Sequence, residues 1–158
     1  MTIDSIYQRL KRLESDDIFL LCSNRNIGIV PEEIEEYEDG SQALIIGNGK
    51  HTTIHIACLN KSFATLIYIL KHEFGHFITD PDENNHRNYL MSNMREQHER
   101  DANIFAVLSA IPRKPESDQD FLTVARSKGV PPDIAIMVRY LLSLEEDPFF
   151  KTYYDAYK

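Results

Sequence analysis

Ile3, Ile6, Leu10 and Leu13 recur at helical intervals, so the pattern predicts an amphipathic helix over residues 3–14. Asp16 or Asp17 can cap a second helix through IFLLCSNRN, which Asn26 and Gly28 would end. GIVPEEIEEYEDG reads as a short extended piece followed by an acidic, solvated loop. In ALIIGNGKHTTIHIAC two β-rich runs meet at Gly47-Asn48-Gly49, which predicts a hairpin. Its second run puts Ile54, Ile56 and Cys58 on one face and Thr53, His55 and Ala57 on the other.

Asn60-Lys61-Ser62 precedes a long helix, FATLIYILKHEFGHFIT, whose apolar residues cover most of its circumference. Such coverage belongs to a helix in the middle of a domain. Asp80-Pro81 stops it. A polar stretch, PDENNHRNYLMSNM, leads to a helix over REQHERDANIFAVLSAI, closed by Pro112. Ser117-x-x-Asp120 matches a capping box for FLTVARSKG, with Gly129 as its C-terminal residue, and PPDIAIMVRYLLSL forms the last helix. The aromatic tail EEDPFFKTYYDAYK is assigned no element. The whole is an α+β pattern, mostly helical, with a small hairpin beside the HEFGH helix.

The chain has 158 residues, no internal repeat and no dividing linker, so it is read as one domain over 1–145. The helices of 117–144 pack on that domain, and 146–158 form the tail. A net charge of −8 argues against an electrostatic grip on nucleic acid or anionic lipid, which needs a basic face. The N-terminal stretch is charged throughout and does not look like a secretory signal, and no apolar run is long enough to span a bilayer, so neither a signal peptide nor a membrane span is expected. Cys22 and Cys58 sit in apolar stretches and are expected to be buried, reduced thiols. Together these place the protein in the cytoplasm.

Candidate chemistry concentrates in His72-Glu73-Phe74-Gly75-His76. Residues four apart on a helix share one face, so both imidazoles can point at one metal ion while Glu73 reaches a water beside it. Buried polar groups on an otherwise apolar helix need partners, and a metal supplies them. Histidines satisfied within the core by hydrogen bonds are the competing reading. Gly75 in mid-helix costs about 1 kcal/mol relative to alanine, which implies that something approaches its backbone closely.

Catalytic zinc takes three protein ligands and leaves a position for water. His86, His98, Glu99 and Asp101 are the candidates for the third ligand. A metzincin-spaced histidine would fall at Asp82, and Thr79 stands where that pattern needs glycine, which excludes the class. A deformylase is excluded too, because Cys58 stands in ACLN and the required glycine-rich motif is missing. Glu99 is favoured by its helix face, shared with Ala102 or Asn103, Ala106 and Ala110. Small side chains there let two helices approach, while Ile104, Phe105, Leu108 and Ile111 anchor the other side. Asp101 falls on the wrong face, and His98 and His86 read as exposed. Asn103, one turn after Glu99, is placed to hydrogen-bond a ligand.

With these residues in view, the chain resembles the ImmA/IrrE metallopeptidases. HEFGH and the later ERDANIFAVLSAIP match that family's H-E-x-G-H and its glutamate followed by A-N, F-A, an apolar run and proline. Glu99, Ala102, Asn103, Phe105, Ala106 and Pro112 occupy the matching places. The resemblance implies a zincin-like fold and a cytoplasmic zinc endopeptidase. In that reading His72, His76 and Glu99 hold zinc, Glu73 shuttles the proton, and the substrate is a helix-turn-helix repressor. The strand around 52–58 is expected to pair with an extended substrate. His51, His55, Tyr89 and Tyr140 are candidates for stabilising the oxyanion.

Two rival functions share the same residues. LTVARSKGVPPDIAIMVRYL has the look of a helix-turn-helix, which would make the protein a DNA-binding regulator. The acidic net charge and the two prolines where a recognition helix would begin stand against it. A module that controls a repressor by contact alone is the other alternative, with the aromatic tail as its docking surface.

Overall fold

The computed structural model describes residues 1–47, 51–79, 92–111 and 118–144, with side chains 92–95 and 118–119 set aside. Its elements are α1 (Ile3–Lys11), α2 (Ile18–Asn24), β1 (Ile27–Glu32), β2 (Ala43–Gly47), β3 (Thr52–Ala57), α3 (Phe63–Thr79), α4 (Ser92–Ala110), α5 (Asp118–Ser127) and α6 (Pro132–Leu144). The α+β class expected from the pattern is the one observed. The predicted turn at Asn48-Gly49, the helix stops at Pro81 and Pro112, the Ser117 cap, His86, Tyr89 and the aromatic tail lie outside the described residues.

Helix boundaries follow local chemistry. Thr2 caps α1 by accepting from Ser5 N, and Asp17 caps α2 by accepting from Phe19 N and Leu20 N. The second helix ends earlier than predicted, at Asn24, because Asn26 takes a positive φ of 55° and Gly28 already belongs to β1. α4 starts at Ser92, ahead of the predicted Arg95. Gly129, with φ 76°, closes α5 as predicted: Val130 N donates to Ala125 O and Gly129 N to Arg126 O.

The sheet corrects two expectations. β3 is the middle strand of the order β1-β3-β2, parallel to β1 and antiparallel to β2. The extended piece before the acidic loop is therefore a full strand, with Pro31 tolerated because β1 lies at a sheet edge. The strand at 52–58 has neighbours on both sides and cannot accept a further partner. Among the described residues, the free edge beside α3 is that of β2. The β3 alternation also breaks at its end: Ala57 is buried, while Cys58 lies past the strand, half-buried, and donates its thiol to Glu32 O. Both cysteines are free, and Cys22 is fully buried.

One core cluster draws Ile3 and Tyr7 from α1, Cys22 from α2, Ile54 from β3, Phe74 from α3, Phe105 from α4, Phe121 from α5 and Val138 from α6. α3 lies against α4, β2 and β3, as its broad apolar coverage predicts. Its most extensive contact is with α4. A Cβ built on Gly75 would meet Phe105 Cδ1 at 3.0 Å, Ala102 O at 3.1 Å and Ala102 Cα at 3.2 Å. Ala102, Ala106 and Ala110 are buried, and so are Ile104, Phe105, Leu108 and Ile111, so this half of α4 is enclosed on both its small-residue and its large-residue faces.

Candidate metal centre

That close approach of α3 and α4 creates the site. His72 and His76, one turn apart on α3, bring their rings to a centroid separation of 4.9 Å in an edge-on arrangement. Their Nε2 atoms converge on one carboxylate from α4: His72 Nε2 lies 3.1 Å from Glu99 Oε2, and His76 Nε2 lies 3.2 Å from Glu99 Oε1. Glu73 joins them, since ligand atoms of His72, Glu73 and His76 lie within 4.8 Å of one another. His76 is buried, while the Glu99 side chain is 48 % exposed and faces the cleft.

Two imidazoles and carboxylates are donor types that a divalent metal such as zinc takes. Bonds of about 2.0–2.1 Å in a tetrahedron separate neighbouring ligand atoms by roughly 3.3 Å. Each histidine meets a different Glu99 oxygen, at 3.1 and 3.2 Å, close to that spacing, while the ligand atoms that all lie within 4.8 Å of one another are those of His72, Glu73 and His76. Three side chains of this type also leave one tetrahedral position for solvent.

Electrostatics follow from the same contacts. Burial alone would depress the His72 pKa, but the Glu99 hydrogen bond and the Glu73 and Glu99 charges outweigh it and raise it. Burial would raise Glu99, yet hydrogen bonds from both histidines hold it well below the usual carboxylate range. Glu73 is raised by burial, with the two histidines opposing. A carboxylate with a raised pKa holds a proton more readily near neutrality, which suits a group that must both take and return one.

Asn103, the expected hydrogen-bond partner of a ligand, lines the same cleft as His72. Tyr68, which the sequence reading passed over, donates its hydroxyl to Asn103 Oδ1 at 3.1 Å. Its ring stands 6.4 Å from that of His72. The signal was present: Tyr68 precedes His72 by one helical turn and therefore shares its face. Asp101 is not near the pair; it is buried and ion-paired to the Met1 amino group at 3.3 Å. His98 is half-buried on α4 and does not line the cleft.

The oxyanion candidates fare poorly where described. His51 is exposed. His55 lies on the outer sheet face, bridging Glu32 Oε1 at 2.9 Å and Thr53 Oγ1 at 3.1 Å. Tyr140 is exposed on α6. None of these three lines the cleft, whereas Tyr68 and Asn103 do. The cleft encloses about 640 Å³ between β2, α3, α4 and the α5–α6 turn.

No curated protein and no solved structure matches the chain. The profile of the IrrE N-terminal-like domain, a peptidase family designated M78, matches residues 53–145, a span running from β3 past the end of α6. That match covers more than half of the chain and includes His72, Glu73, His76, Glu99 and Asn103, so the protein belongs to the IrrE N-terminal-like peptidase family.

Proposed function

We propose that the protein is a cytoplasmic zinc endopeptidase that cuts a helix-turn-helix transcriptional repressor at a specific site. The observation that carries this reading is the convergence of two Nε2 atoms and both Glu99 oxygens beside Glu73, at the floor of an open cleft. Among the described residues no helix is long and apolar enough to cross a membrane.

His72, His76 and Glu99 would hold the zinc. When bound, zinc supplies Lewis acidity that polarises the scissile carbonyl and lowers the pKa of water. Glu73 accepts the proton of the attacking water and returns it to the departing amine nitrogen. Asn103, which accepts from Tyr68 and lines the cleft with His72, would steady that imidazole. Ala57 N donates to Gln42 O, and the antiparallel alternation then turns the main-chain groups of Ala43 and Ile45 away from β3. Those groups border the cleft, so an extended peptide would pair with β2.

The test compares wild type with Glu73→Gln, using a repressor encoded beside this gene, with and without chelator. Zinc content and cleavage are both measured. Wild type is expected to cut only without chelator, and Glu73→Gln to retain zinc without cutting. Cleavage by Glu73→Gln sinks the proton-shuttle role. Relief of repression by both proteins equally, with no cleavage, moves the function to regulation by contact.

A further inference from the structure

The helix-turn-helix look of α5 and α6 has a different use in the folded chain. At Gly129 the turn between them lies on the N-terminal half of α3. A Cβ there would come within 2.5 Å of Ala64 C, Ala64 O and Thr65 N, so only glycine permits the contact. The contact brings the turn to the cleft, which Pro131, exposed, and Ile134 line together with Ile69 and Tyr68 of α3 and Ile45 of β2. Ile134 is half-buried there, and Ile69 and Tyr68 are buried.

The cleft thus has two ends along one helix. His72 and His76 mark the polar end, and Thr65 and Ile69, toward the N-terminus of α3, mark the apolar end. Ile69 precedes His72 by less than one turn, a rise of about 4.5 Å at 1.5 Å per residue. An extended peptide advances about 3.3 Å per residue. A side chain entering the apolar end therefore belongs to a residue within about two positions of the bond held at the metal end.

We propose that the α5–α6 turn is the specificity wall of the peptidase cleft, and that Ile45, Ile69, Pro131 and Ile134 form a pocket selecting a large apolar side chain beside the scissile bond. This rests on the peptidase reading for the bond cleaved, but the pocket itself rests on described side chains alone. Burying a leucine- or phenylalanine-sized group there favours it over alanine by about 10- to 100-fold in kcat/KM. An aspartate or glutamate side chain, finding no lysine or arginine among the described lining residues and Asp39 beside it in the cleft wall, is rejected more strongly at the apolar end.

Two measurements test the proposal. Zinc-loaded wild type and Ile134→Phe are given a position-randomised peptide mixture, with products read by mass spectrometry. Separately, N-acetyl-leucinamide and N-acetyl-aspartamide are titrated into metal-free protein while the isoleucine methyl NMR signals are followed. Wild type should select leucine, isoleucine, methionine or phenylalanine at one position within two residues of the cut. Ile134→Phe should narrow that preference toward alanine by about 10-fold, with its melting temperature and zinc content kept. Leucinamide, and not aspartamide, should shift the Ile45, Ile69 and Ile134 methyls. Cleavage without positional preference, or an unchanged preference in a folded, zinc-replete Ile134→Phe, overturns the pocket. Leucinamide-specific shifts without cleavage of any peptide support the pocket and overturn the peptidase reading instead.

Discussion

Gly75→Ala tests whether the α3–α4 approach, and not the motif alone, makes the metal site. On helix propensity the change should stabilise by about 1 kcal/mol. Against that, the new methyl meets Phe105 Cδ1 at 3.0 Å, Ala102 O at 3.1 Å and Ala102 Cα at 3.2 Å, where ordinary contact begins at 3.4 Å. Two of these atoms are main chain. Phe105 is buried against Phe74 at a centroid distance of 6.0 Å and has nowhere to turn. α4 must therefore retreat by a few tenths of an ångström, an overpacking that costs about 1–3 kcal/mol. The balance is a loss of about 0–2 kcal/mol, or up to roughly 8 °C in melting temperature. The metal should feel more than the fold does, because Glu99 lies one turn from Ala102 and metal–ligand distances tolerate only about 0.2 Å. Zinc affinity, measured by competition with a chromogenic chelator, is expected to fall about 10- to 100-fold. A variant that melts higher in EDTA and binds zinc as wild type does would refute the reasoning.

Gly129→Ala should be worse than Gly75→Ala, because it combines a φ of 76° with main-chain overlap at 2.5 Å. A loss above about 3 kcal/mol, or failure to fold, is expected in denaturant titration. Tyr68→Phe removes the hydroxyl donated to Asn103 Oδ1 and should weaken zinc binding by about 10-fold, with a melting temperature close to wild type. Glu99→Ala should lose zinc by elemental analysis, whereas His98→Ala should keep it. Burial pushes the Cys22 thiol up to about 11, so it should resist a thiol reagent at mildly alkaline pH until the protein is unfolded.

The legible parts of this chain were those governed by local chemistry. The HEFGH helix, the β2–β3 pairing and the Gly129 cap follow from periodicity and turn residues within a short window. Gly75 pointed to a close neighbour, and the alanine face of α4 pointed to the same contact from the other side. The strand order was not legible, because β1 pairs with β3 across the intervening acidic loop and hairpin strand, and nothing local in GIVPEE names a parallel partner. For the same reason β3 was misjudged as available to substrate. The pairing of Asp101 was not legible either, because its partner, the Met1 amino group, lies at the other end of a long stretch of chain, on the residue that precedes α1. Tyr68 was overlooked because an aromatic on an apolar helix reads as core, and only the fold shows its hydroxyl reaching Asn103.

The metal-free site is held together by protons, and this gives chelation a pH signature. The His72 pKa is raised above its ordinary 6.5, so its contribution to stability is complete below that value and is lost as pH rises through the folded pKa. Glu73, also raised, acts in the same direction. Glu99 is depressed below its ordinary 4.5, so its contribution is present above 4.5 and is lost as pH falls through its folded value. The three contributions overlap at mildly acid pH, where the EDTA-treated protein draws most on the site; exposure of Glu99 screens its share. Zinc competes with the same protons, so its affinity rises as His72 deprotonates. A metal at 100 times its dissociation constant adds about 2.7 kcal/mol, equivalent to roughly 5–11 °C in melting temperature. The gap in melting temperature between zinc-loaded and EDTA-treated protein should therefore widen between about pH 5.5 and about pH 7.5. Differential scanning fluorimetry at fixed free zinc reads the gap. A gap that stays constant over that range, or narrows, would mean that these histidines and Glu99 do not share one ion.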